Sequence, residues 1–365
     1  MAVVEEAPLK YAIIGSGMMG LEHIRNLIEM PAVQIVGVCD SHTSSLEKAR
    51  RALNRVEGVR YFANYKDLLA NCNADIVVIA TPNHTHVDIA ADVMRSGRHM
   101  LIEKPLCTTV ADCQKLIALQ ATEQIENRVV WVGLEYRYMG PTARVVQEVG
   151  KGTVGTVRMI SIREHRYPFL EKVDDWNRFN SNTGGTLVEK CCHFFDLMCL
   201  LAKSKPISVL ASGAQDVNHL HETYNGKTPD ILDNAFVIVN FENGVRGMLD
   251  LCMFAEASKN EQEICVVGDQ GKIEALISES LVRIGKRKDG YGTFHETTID
   301  MDASVVKGFH HGASFIEHGR MQQAVRNSQQ PEVGLSEGLW SVAIGQAAHR
   351  SIDEQRVVLL SEVLS

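Results

Sequence analysis

The chain has 365 residues, 45% of them hydrophobic, and a formal net charge of −8. That length supports two hydrophobic cores rather than one. An acidic balance without any basic run argues against a nucleic-acid or anionic-membrane surface. No apolar stretch approaches the roughly 20 residues that span a bilayer. The segment Met1 to Pro8 carries Glu5 and Glu6 and no apolar signal core, so a cytoplasmic protein is expected. The nine cysteines are scattered without CxxC or ligand spacing, which fits a reducing compartment and no metal site. Cys191 and Cys192 read as buried thiols. His84/His86, His219/His221 and His310/His311 read as loop or cap histidines.

The first element, Tyr11-Ala12-Ile13-Ile14, is an apolar strand that feeds directly into Gly15-Ser16-Gly17-Met18-Met19-Gly20. A helical pattern follows, then a second apolar strand over 33–38 ending at Cys39-Asp40. A lone GxGxxG is weak, but this one lies between strand and helix with an acid at the expected distance. Gly15 permits the tight turn, Gly17 admits a pyrophosphate to the backbone, and Gly20 lets helix and strand approach. The helix N-terminus at Met18 and Met19 offers unpaired N–H groups to phosphate. Asp40 can accept hydrogen bonds from an adenosine ribose and would repel a 2′-phosphate. NAD is therefore expected over NADP, a preference that the small polar Ser41-His42 weakens.

Strand and helix continue to alternate. A helix is expected over 44–54, a short strand over 58–62 and a helical turn over 66–70. The run 74–80 is a strand buried on both faces, ending at Thr81-Pro82-Asn83-His84. Ligands of open α/β sheets bind beyond the carboxyl ends of the strands, so this loop should line the dinucleotide. A helix over 89–96 leads to a strand over 99–102, which delivers Glu103-Lys104-Pro105 to the same edge. A helix over 112–123 and a strand over 129–133 complete the parallel set.

After about residue 150 the pattern changes. A strand over 156–165 and an apolar helix over 186–201 precede strand pairs turning at Asn243-Gly244 and Asp269-Gln270-Gly271. The fold class expected is α/β: a doubly wound parallel sheet over 1–150, then an α+β unit over 151–365 with an open, mostly antiparallel sheet. Helices near 318–327 and 340–352 close the chain, the last packing back on the first unit. Strands 236–241 and 245–251 are apolar on both faces, so a homodimer or homotetramer is expected.

The helix over 186–201 is apolar nearly all round except for Glu189, Lys190, His193 and Asp196. At 100° per residue, Glu189, His193 and Asp196 share one stripe and Lys190 lies off it. Such a stripe on a buried helix must be satisfied by a hydrogen-bond network or a polar substrate.

Three motifs together, Gly15-x-Gly17-x-x-Gly20, Glu103-Lys104-Pro105 and Gly184-Gly185-Thr186-Leu187-Val188-Glu189-Lys190-Cys191-Cys192-His193-Phe194-Phe195-Asp196, resemble the glucose–fructose oxidoreductase/inositol dehydrogenase (Gfo/Idh/MocA) family across essentially the whole chain. The resemblance implies a Rossmann domain, an open α+β sheet domain, and hydride transfer between NAD(P) and a sugar, sugar acid or cyclitol. It puts Lys104 and His193 at the family's catalytic lysine and histidine positions. Thr183-Gly184-Gly185 departs from the family's glycine triplet, and Glu189 stands where an aspartate is usual.

Hydride abstraction from a secondary alcohol needs a base on the hydroxyl, for which His193 is the candidate. Lys104 would polarise the same oxygen, and Glu189 would orient His193 or bind a neighbouring hydroxyl. Glu103 is expected to anchor its loop or contact the cofactor ribose, and Arg137, with 81–84, to frame the nicotinamide. Arg163, His165, Arg166, Trp176 and Arg178 are candidate substrate contacts. The arginines suit a carboxylate, sulfonate or phosphate clamp and the indole a pyranose face. They equally suit pairing with acids such as Glu171, Asp174 and Asp175. A hydrolase that cleaves glycosides by transient oxidation with retained NAD is the alternative activity. A non-catalytic NAD-binding regulator is a weaker one.

Overall fold

Residues 11–14, 76–79 and 100–102 carry no polar side chain beyond the Tyr11 hydroxyl and are at most 2% exposed, as strands covered on both faces must be. The computed structural model describes residues 7–122, 125–300, 305, 308 and 310–365. Among them, β1 (Leu9–Ile14), β2 (Val33–Cys39), β3 (Arg60–Phe62), β4 (Ile76–Ile79), β5 (His99–Glu103) and β6 (Val130–Gly133) form a parallel sheet ordered β3-β2-β1-β4-β5-β6. The helices Met18–Ile28, Thr43–Ala52, His86–Arg95 and Val110–Thr122 cross between these strands. Strand order reverses between β1 and β4, which opens a crevice at their carboxyl ends.

The second sheet has the order β14-β13-β12-β11-β7-β10-β9-β8-β15. Its strands are β7 (Val157–His165), β8 (Pro206–Ala214), β9 (Asn234–Phe241), β10 (Arg246–Cys252), β11 (Gln262–Gly268), β12 (Gly271–Leu276), β13 (Leu281–Lys286), β14 (His295–Thr298) and β15 (Val358–Leu359). All neighbours are antiparallel except β7 and β10. Helix Leu335–Glu354 lies against β8 and helix Cys192–Ala202, and also against β6 and Val110–Thr122. It therefore packs on both units rather than on the first alone. Helix Ala313–Arg326 packs on Met18–Ile28 and β6.

The other face of this sheet is apolar and open. Leu210, Ile238 and Met248 are cross-strand neighbours on β8, β9 and β10, each about two-fifths exposed, and Phe236 beside them is 62% exposed. No helix among the described residues is long and apolar enough to cross a membrane.

The expected helix over 186–201 is two: Thr186–Glu189 and Cys192–Ala202. Lys190 N and Cys191 N both bond Thr186 O, at 2.9 and 3.4 Å, so one turn is widened by a residue. Phe194, Phe195, Leu197 and Met198 are fully buried, each contributing about 1.5–3 kcal/mol. That burial offsets the cost of drawing Lys190, His193 and Asp196 into the same interior.

Candidate active site

The turn after β1 is built for glycine. A Cβ on Gly15 would lie 2.4 Å from Ala80 O, and one on Gly20 would lie 2.0 Å from Gly15 O. A Cβ on Gly17 would meet nothing within 4 Å, leaving space over the backbone where a phosphate can approach. Helix Met18–Ile28 begins there with no side chain capping its first N–H groups. At the tip of β2, Asp40 Oδ2 accepts from Ser16 N at 2.7 Å and Ser16 Oγ at 3.1 Å, while Oδ1 accepts from His42 N at 2.8 Å. The acid therefore ties the glycine turn to the second strand end and still borders the crevice. These residues fit a dinucleotide.

The loop after β4 is held from both sides. Thr85 Oγ1 donates to Thr81 Oγ1 at 2.8 Å, and Asn83 Nδ2 donates to Thr183 O at 3.3 Å, across to the second unit. His84, beyond Pro82, is exposed. His86 is the organising histidine here: its ring nitrogens lie 2.9 Å from Pro105 O and 3.0 Å from Thr81 O. One buried ring thus joins the two strand-end loops.

Strand β5 presents Glu103 and Lys104. Glu103 Oε1 is 2.9 Å from His23 Nε2, and His23 Nδ1 is 2.9 Å from His318 Nε2. Burial raises the Glu103 carboxyl, but His23 and the charge of Lys104 outweigh it and hold the group below the ordinary carboxylate range. Glu103 thus ties its strand end to helix Met18–Ile28 through His23. Lys104 Nζ donates to Glu189 O at 3.2 Å, the carbonyl one turn before His193. Burial disfavours the ammonium, yet Cys192, Glu189, Glu103 and Glu135 around it raise its pKa above that of an ordinary lysine. Burial raises the Glu189 carboxyl against the pull of Lys104 and Lys172.

His193 is 2% exposed and stacks on Tyr136, ring centroids 3.8 Å apart and planes 5° from parallel. Its Nε2 is 3.9 Å from Glu135 Oε1. Burial, then the charges of Lys104 and Lys190, push its pKa well below 6.5, so the neutral, proton-accepting ring prevails. Tyr136 accepts from Lys190 Nζ at 2.8 Å, and that ammonium is also 2.8 Å from Glu164 Oε1.

Several sequence assignments need correcting. The widened turn breaks the expected Glu189–His193–Asp196 stripe and sends Lys190 inward. Asp196 instead receives both arms of the Arg137 guanidinium, whose Nη1 also donates to Glu332 O at 3.1 Å. Arg137 is thus held in a mostly buried ion pair with helix Cys192–Ala202. On β7 the period of two turns Ile160, Ile162 and Glu164 inward and Arg163 and His165 outward. Arg163 pairs with Glu263, and His165 Nε2 lies 3.0 Å from Asp250 Oδ1, both across strands on the outward face. Arg166 stays near the site, 3.5 Å from Glu164, and Arg178 is buried with Nε donating to Glu222 at 3.2 Å. Trp176 is half-buried, its carbonyl accepting from Asn182.

Sequence reasoning missed Glu135, Tyr136, Lys172, Lys190 and His310. Glu135 follows a strand end at the same edge as Glu103, a signal that was available. His310, read as a loop or cap residue, lies 3.2 Å from Glu135 Oε1, and nothing local in the chain announces it.

Two family models match the chain: an oxidoreductase-family NAD-binding Rossmann fold over residues 9–134, and an oxidoreductase-family C-terminal alpha/beta domain over 146–360. The chain is 24% identical over 362 residues to a myo-inositol 2-dehydrogenase of Thermotoga maritima, covering 98% of this chain and 100% of that protein. Its fold is similar to an oxidoreductase domain protein from Kribbella flavida, with a TM-score of 0.85 at 20% identity over 97% of this chain and 100% of that one. It is also similar to a levoglucosan dehydrogenase solved with NADH and levoglucosan, with a TM-score of 0.83 at 19% identity over 97% and 99%. A glycine turn shaped for a dinucleotide, a strand-end lysine resting on the turn before a buried histidine, and models matching both halves lead to one conclusion: the chain belongs to the Gfo/Idh/MocA oxidoreductase family.

Proposed function

We propose that the protein is an NAD-dependent dehydrogenase of a secondary alcohol in a sugar, sugar acid or cyclitol. The observation that carries this reading is the Lys104 ammonium held on Glu189 O, one turn before the neutral ring of His193. A nicotinamide cofactor held by the glycine turn and Asp40 would supply the hydride acceptor for oxidation and the donor for reduction. His193 takes the hydroxyl proton, and Lys104 stabilises the charge that develops on that oxygen. Glu189, whose carboxyl has no hydrogen-bond partner among the described residues, contacts a further hydroxyl. The names of the Thermotoga maritima relative and of the levoglucosan enzyme support this substrate class. A panel of cyclitols, sugars and sugar acids, followed by absorbance of the reduced nicotinamide, should yield at least one substrate. Glycoside cleavage with no net reduced cofactor would replace the dehydrogenase reading by the hydrolytic one.

Cofactor choice follows from Asp40. Its carboxylate at the strand tip favours a free ribose over a 2′-phosphate. Catalytic efficiency should therefore be higher with NAD than with NADP. Asp40→Ala should narrow the gap, and equal efficiency in the wild type would refute the assignment.

Assembly follows from the open sheet face. The patch formed by Leu210, Phe236, Ile238 and Met248 is of the kind that self-association covers. Light scattering at micromolar concentration should give a dimer or tetramer mass, and Phe236→Glu should shift it toward the monomer. A monomeric wild type would contradict this.

A further inference from the structure

His193 has no direct route to water. Its side chain is 1% exposed, so a proton taken from substrate must leave through the protein. Beside it stands Glu135, also 1% exposed, whose Oε1 lies 3.9 Å from His193 Nε2 and 3.2 Å from His310 Nδ1. The His310 side chain is 18% exposed, so the three groups run from the interior to the solvent edge. Among the described residues, neither oxygen of Glu135 has a hydrogen-bond partner on another residue, and neither has Nδ1 of His193 or of His310. A buried carboxyl left without donors costs roughly 1–3 kcal/mol or more. A carboxyl serving only to hold His193 in place would be bonded to it.

We propose that Glu135 and His310 form a proton relay that carries the substrate's hydroxyl proton from His193 to solvent. The inference rests on the reading of His193 as the base. In oxidation the substrate O–H bond breaks and its proton joins the His193 ring, while the hydride goes to the nicotinamide. The imidazolium N–H facing Glu135 then breaks, and the carboxylate gains the proton. That O–H in turn gives way to an N–H on His310, whose pKa burial holds down at about 3, so it keeps the proton only in passing and releases it to water. Reduction runs the same steps backwards.

The surroundings of Glu135 suit a carrier. Glu103 and Lys104 face it from β5, Lys190 and Cys192 from the widened turn, and Glu317 from helix Ala313–Arg326; Tyr136 and His193 stand beside it. Burial, and then the charge of Glu103, push its carboxyl up to about 8, against Lys104 and Lys190. Such a group gains and loses a proton near neutral pH. The carboxylate form that accepts from His193 predominates above that value, so oxidative turnover should rise with pH through it.

The test uses the NAD-loaded enzyme with its substrate and a pH-indicator dye in stopped flow. In the wild type, proton release should keep pace with nicotinamide reduction. In Glu135→Gln and in His310→Gln, release should lag behind reduction, and kcat should fall about tenfold to hundredfold. Glu135→Gln should also lose the alkaline rise in kcat, and Glu135→Asp should restore part of it. In the free protein, an infrared carboxyl band titrating at about pH 8 should vanish in Glu135→Gln. Synchronous release with an unchanged pH profile in both variants would overturn the relay while leaving the base intact. Full activity in His193→Ala would overturn the base itself. His310→Gln, at the solvent edge, keeps the test decisive if Glu135→Gln fails to fold.

Discussion

Lys104→Ala should lower kcat by about 10² to 10³, the usual effect of removing one group that stabilises a developing oxyanion. The effect should fall on kcat more than on KM, because the ammonium matters most when the substrate oxygen carries charge. Lys104→Met, which keeps the bulk, should be nearly as slow and so isolate the charge. NADH binding, followed by its fluorescence, should change little, since the glycine turn and Asp40 lie at the far end of the dinucleotide. The acids around Lys104 hold its pKa above the ordinary value. Deprotonation of this lysine should therefore cause no loss of activity below about pH 10. Near wild-type turnover in both variants would remove Lys104 from the mechanism.

His193→Ala should cost about 10² to 10⁴ in kcat, the usual contribution of a placed general base. The sign of the pH dependence follows from burial. The ring accepts a proton only when neutral, and its pKa is depressed well below 6.5. The limb that His193 sets in kcat/KM should therefore lie below pH 6.5, separate from the rise near pH 8 expected from Glu135. A limb at or above the ordinary histidine pKa would mean that another group sets it. Tyr136, stacked on the ring at 3.8 Å, fixes the imidazole plane. A smaller loss in Tyr136→Leu, with the pH limb moved upward as the ring gains water, would be consistent with that role.

The parallel sheet, the glycine turn, Asp40 and the Glu103-Lys104 strand end were legible in the sequence by itself. Each rests on contacts within a few residues: an apolar run, a turn that tolerates no side chain, an acid at a fixed distance. His193 was legible too, through the motif that carries the family resemblance. The partners of these residues were not. The helix expected over 186–201 divides because Cys191 N joins Lys190 N on Thr186 O, while Lys190 finds Glu164 on β7 and Tyr136 after β6. Regular periodicity therefore misplaces Asp196, which the fold hands to Arg137. The outward turn of Arg163 and His165 depends on which face of β7 is covered, and helix Cys192–Ala202 covers the one that carries Glu164. Glu135 and His310 meet only because the chain after the second sheet returns to the edge of the first. Local chemistry chose the residues able to bind a dinucleotide and move a proton; long-range packing decided which of them face one another, because burial and charge pairing depend on neighbours that sequence distance does not encode.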